Sequence, residues 1–180
     1  MAYSLSTKIV LPVGALIFLI AYGICYWYHR KKRRDTACIR QSRARFVFCF
    51  YLLIVMCFTL LPVLLPPIDP QPVEYNWDLR YLLTALSDRA HLIDVAGNAL
   101  LFAPVVIIGR YAGFRCFSTI PRAALTSCLL SVFIEAAQGL ETHFGLVDPA
   151  SINVVDINDV IMNTAGGIIG WILMEVYEKR

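Results

Sequence analysis

Apolar residues in this chain come in long blocks rather than evenly spread. Residues 9–28, IVLPVGALIFLIAYGICYWY, contain no charged side chain, and neither do residues 46–65, FVFCFYLLIVMCFTLLPVLL. Each run is about 20 residues, the length a helix needs to cross roughly 30 Å of hydrocarbon. Three further stretches of similar length, 91–109, 123–140 and 156–174, are apolar but interrupted by polar residues. The pattern predicts an all-α, polytopic integral membrane protein of about five transmembrane helices. Residues 1–65 form two N-terminal spans joined by a basic loop. Residues 66–90 form an outer loop, and residues 91–180 a three-helix core.

That outer loop has two parts. Pro66, Pro67, Pro70 and Pro72 make an extended lead-in. Leu79, Leu82, Leu83 and Leu86 then follow i, i+3, i+4, i+7 spacing, with Tyr75, Trp77 and Tyr81 nearby. This predicts a short amphipathic helix lying in the membrane interface.

Composition agrees with a bilayer as solvent. Of the 180 residues, 58% are hydrophobic and 16% charged, with a mean hydropathy of +0.64. A soluble domain carries about 25% charged residues. Charge also orients the chain. The segments 29–45, 110–122 and the C-terminal EKR hold thirteen of the sixteen Lys and Arg residues. Under the positive-inside rule these segments face the cytoplasm, which puts the N-terminus outside. The basic run follows the first apolar block instead of preceding it, the reverse of a cleaved signal peptide. None of the six cysteines falls in an outer loop, so no structural disulfide is expected.

These directions place the polar residues of the last three spans at one depth, the outer half. Asp94 and Asn98 are four apart, and Glu135 and Gln138 three apart. Asp156, Asp159 and Asn163 follow i, i+3, i+7 spacing, so each set lies on one helical face. A charge near the bilayer centre costs about 2.5–3.5 kcal/mol. The three faces are therefore expected to turn toward each other around a polar cleft that opens to the outer leaflet. The predicted ligand-binding set is Asn98, Glu135, Gln138, Asp156, Asp159 and Asn163. His91 and His143 flank it at the interface. Gly166 and Gly170 form a small-xxx-small face that lets helices approach closely. No zinc spacing, phosphate loop, catalytic triad or nucleic-acid signature is present, and no metal or cofactor is expected.

The segments GNALLFAP (97–104), FIEAAQ (133–138) and DINDVIMNTAGGIIG (156–170), in that order, resemble the VanZ family over roughly residues 91–173. The family's motif positions fall on Asn98, Phe102, Pro104, Glu135, Gln138, Asp156, Asp159, Asn163 and Gly167. This chain has SINVVD where many relatives carry an arginine shortly before the aspartate pair, and Val106 where they often have glycine. The resemblance implies a bacterial cytoplasmic-membrane protein linked to resistance against teicoplanin, an acylated glycopeptide antibiotic.

Two functions compete. A non-enzymatic protein would recognise an amphiphile in the outer leaflet, either a lipoglycopeptide or a lipid-linked cell-wall precursor. An intramembrane enzyme would use Glu135, Asp156 or Asp159 as acid, base or metal ligand on a lipid-linked substrate. A transporter is less favoured, because there is no repeat to supply an alternating-access pair. The expected partners are thus membrane lipids and one of these amphiphiles, not nucleic acid. The orientation has a direct test. Cys38 and Cys116 should react only with thiol reagents that enter the cytoplasm, while a Ser151→Cys cysteine should label from outside. External labelling of Cys38 overturns the assignment.

Overall fold

The computed structural model describes residues 3–5, 7–31, 36–61, 63–65, 67–80, 89–147 and 154–180. Five helices dominate among them: α1 (Thr7–Lys31), α2 (Thr36–Leu60), α3 (Arg89–Tyr111), α4 (Ile120–His143) and α5 (Ile157–Glu178). A 3-10 turn, Arg115–Phe117, joins α3 to α4. The expected amphipathic helix falls largely on residues 81–88 and, like Ser151, lies outside the described residues. So do the side chains of Cys38, His91 and Asp94.

Four of the helices, α1, α2, α4 and α5, are long and apolar enough to cross a membrane. The third predicted span lies on α3, a helix of 23 residues whose continuous apolar stretch among the described residues is Val95–Tyr111.

Large apolar side chains such as Leu19, Leu100, Leu129 and Leu173 are exposed, as expected of surfaces that face lipid. The core is small by comparison. It gathers Val55, Phe102, Val105, Val106, Phe117, Ala123 and Ile134 from α2, α3, α4 and the connecting turn. α1 stands apart: no residue of its span is buried, and it leans on α2 through Phe18 and Phe50, whose rings lie 6.0 Å apart.

The closest helix pair is α3 with α5, which run in the same direction. The reason lies in the glycines. A Cβ on Gly166 would strike the backbone of Ala99, and one on Gly170 the backbone of Ala103. Gly167 turns instead toward α4, where a Cβ would meet the Ser127 side chain. The Gly-x-x-x-Gly face thus brings two backbones together, as its spacing predicts. At the far end of this pair, Arg110 of α3 clamps α5 by donating to Glu175 and Glu178. Its guanidinium also lies 4.6 Å from the Trp171 ring centroid. Pro104 lacks the N–H that would donate to the Leu100 carbonyl, and at the next carbonyl, that of Leu101, the Tyr51 hydroxyl donates at 2.9 Å.

The extended lead-in is a strap across the C-terminal end of α4. Strand β2 (Val63–Leu65) pairs antiparallel with β1 (Tyr3–Leu5). Further along, Ile68 N donates to Gly145 O at 2.9 Å and Gln71 N to Thr142 O at 3.3 Å. Gly145 has a φ of +66° and packs under the Ile68 carbonyl, a position closed to other residues on both counts. The strap ends in β3 (Tyr75–Asn76), which pairs in parallel with β4 (Val155–Asp156) at the head of α5.

A helix interface this close is tested by overpacking. Gly170→Leu should cost at least about 1–3 kcal/mol and abolish the monodisperse peak in size-exclusion chromatography of the detergent-extracted protein. Gly97→Ala, where an added Cβ meets nothing within 4 Å, should leave the peak unchanged. Equal behaviour of the two variants would show that close approach does not hold this pair.

Candidate functional site

Asp156 is the residue on which the polar end of the bundle is built. It is the N-cap of α5, with φ −116° and ψ 119°, and its Oδ1 accepts from Asn158 N at 2.8 Å. The same oxygen accepts from Asn158 Nδ2 at 2.7 Å, while Oδ2 accepts from Asn76 Nδ2 at 2.8 Å. Its backbone N–H donates to Glu135 Oε2 at 2.8 Å. One residue therefore joins the strap, α4 and α5. Strand spacing alone would not bring these together; the β3–β4 pairing sets Asn76 directly opposite Asp156.

This corrects the expected face. Asp156, Asp159 and Asn163 share i, i+3, i+7 spacing, but α5 starts only at Ile157. An aspartate at a helix start folds back onto the free N–H groups there instead of projecting like a helical side chain. Asp159 reaches toward α3, where Asn98 Nδ2 donates to its Oδ1. Asn163 points to α4 and donates from Nδ2 to Ser131 Oγ at 2.8 Å, fully inside the bundle. Gln138 turns to α2, with Nε2 donating to the Thr59 carbonyl at 2.9 Å.

The six predicted residues thus divide. Glu135 and Asp156 lie on a groove of about 640 Å³ between the strap, α4 and the start of α5. Its walls are mainly apolar, including Val73, Val132, Ala136, Leu140 and Val160. Tyr75 and Trp77 stand on the strap beside it, stacked with ring centroids 6.4 Å apart and more than half exposed. His143 lies on the same wall. Asn98, Asp159 and Asn158 line a second hollow of about 540 Å³ between α3 and α5, which Asp156 also borders. Gln138 and Asn163 line neither and make hydrogen bonds between helices.

Comparison with known proteins adds one match. The family model described as VanZ/LLP1 matches residues 48–178, well over half of the chain. The chain belongs to the VanZ/LLP1 family. No curated protein and no solved structure matches it. In this VanZ/LLP1 protein the matched segment holds both hollows and the strap, and α1 falls outside it.

Three residues of the polar end were missed by helical spacing: Asn76, Asp78 and Asn158 in its structural role. Asn158 is 1% exposed and donates also to the Asp78 carbonyl at 3.1 Å. A signal was present in Asn76-Trp77-Asp78-Leu79-Arg80. Asn76 Oδ1 accepts from Asp78 N at 3.0 Å and Asp78 Oδ1 from Arg80 N at 2.9 Å, two successive turns of the kind Asn and Asp favour. Among the described residues, no three His, Cys, Asp or Glu side chains gather into a metal-holding group.

Removing the Asp156 carboxylate should free the strap as well as the helix. Asp156→Ala should cost about 1 kcal/mol through the lost cap alone. It should also speed amide hydrogen exchange over residues 71–76, while Asp156→Asn retains an acceptor and stays closer to wild type. Unchanged exchange in Asp156→Ala would show that the strap is held by other contacts.

Proposed function

We propose that this VanZ/LLP1 protein is a non-enzymatic membrane protein that recognises an amphiphile at the outer leaflet. The ligand is of the acylated-glycopeptide or cell-wall-lipid kind, and the consequence is protection against teicoplanin-type antibiotics. The observation that carries this reading is the groove: an apolar channel open at the bundle surface, with Glu135 and Asp156 together on its wall. Pockets that hold amphiphilic ligands combine such apolar walls with a few placed polar groups. An acyl chain would lie along Val132, Ala136 and Leu140, and the polar head at the carboxylates. The charge bias of the loops supports an outward-facing groove.

Recognition is favoured over catalysis by what the carboxylates already do. Asp156 spends both oxygens on three donors, and Glu135 accepts a backbone N–H. Acids so engaged suit a fixed binding wall better than proton exchange with a substrate. The test measures binding of labelled teicoplanin and of a non-acylated glycopeptide to the protein in nanodiscs. The acylated drug should bind saturably and at least about tenfold tighter, the equivalent of roughly 1.4 kcal/mol. In cells, Glu135→Gln should insert normally and lose protection against the acylated drug. Equal affinity for both drugs, or product release from a labelled undecaprenyl-linked substrate, would overturn the reading.

A further inference from the structure

We propose that the ligand of the groove presents a cation to Glu135: a long-chain amphiphile with an amine headgroup, taken from the bilayer. The inference rests on the reading of the groove as an amphiphile site and narrows its chemistry. Glu135 is 5% exposed and its oxygen is met by the Asp156 backbone N–H, a neutral donor. Asp156 is likewise met by amide donors from Asn76 and Asn158. Among the described residues, no Lys or Arg lines the groove, and neither acid takes part in a salt bridge. Among the described residues, the imidazole of His143 is the one basic side chain on that wall.

Charge complementarity then decides the class of headgroup. A carboxylate on that wall attracts a cation and repels a phosphate by the same law. A phosphate-binding site would need Arg, Lys or a cluster of free N–H groups, and two of the N–H groups at the start of α5, those of Asp156 and Asn158, are already turned to Glu135 and Asp156. The exposed Tyr75 and Trp77 rings add faces that favour an ammonium group approaching along the strap. The apolar remainder of the walls requires that this cation bring a hydrocarbon chain with it. A small hydrophilic amine would leave most of the groove unfilled.

Three probes of equal chain length separate headgroup from chain: hexadecylamine, hexadecanol and hexadecyl phosphate. Each is added to the full-length protein in phosphatidylcholine nanodiscs, and the bound fraction is read by native mass spectrometry after release. The amine should bind about tenfold or more tighter than the alcohol, and the phosphate weakest of the three. Glu135→Gln keeps an oxygen to accept the Asp156 N–H, so it should fold and reduce the amine preference to near unity. Ala136→Phe, which fills the groove without touching either acid, should remove binding of all three. Equal binding of the three probes, preferred binding of the phosphate, or an amine preference that survives Glu135→Gln overturns the cationic headgroup and leaves amphiphile recognition standing. Binding of none of them to the wild-type protein overturns both.

Discussion

The rest of the polar end depends on how the chain satisfies Asp156. A carboxylate half-buried at the end of an apolar helix bundle is costly unless donors meet it. Three amide N–H groups do so here, and hydrogen bonds to a charged group each contribute about 1.5–3 kcal/mol. Because the donors come from the strap and from α5, satisfying the charge also fixes where those segments lie. Glu135 closes the arrangement from α4 through the Asp156 backbone.

That fixed point determines where ligands can enter. The strap crosses the end of α4 and meets the head of α5, and the groove is the space its extended backbone leaves against the α4 surface. The second hollow opens on the other side of Asp156, between α3 and α5, where the close glycine contact lower down gives way to Asn98 and Asp159. The two helices are held in parallel by packing at their middle and by the Arg110 clamp at their far ends. Such double anchoring keeps the polar ends at a set separation.

The periphery is built for lipid. α1 packs mainly on α2 and buries none of its own span, and it lies outside the segment shared with the family. Its contribution is attachment beside the core rather than any part of either hollow. The helices of the core likewise show lipid their Leu and Ile side chains and reserve small and polar residues for one another. In a bilayer the hydrophobic effect does not drive helices together, so this division of surfaces must.

Much was legible from the sequence because it is local. Two uninterrupted apolar runs and two interrupted ones set four membrane-length helices, Gly166 and Gly170 announced a close helix contact, and the motif segments marked the family. The polar residues at one end of three helices were also readable from spacing. Which partner each one takes was not. Asp156 leaves the helical face because it caps α5, and a cap turns its side chain back on the backbone. Asn76 joins it across 80 residues through one parallel bridge, a contact that periodicity within a helix cannot encode. Gln138 and Asn163 look like cavity residues in sequence, yet the tertiary arrangement places Thr59 and Ser131 against them. Helical period fixes the direction of a side chain from its own axis. What stands opposite depends on how the axes pack, and that was decided only when the strap and helices met.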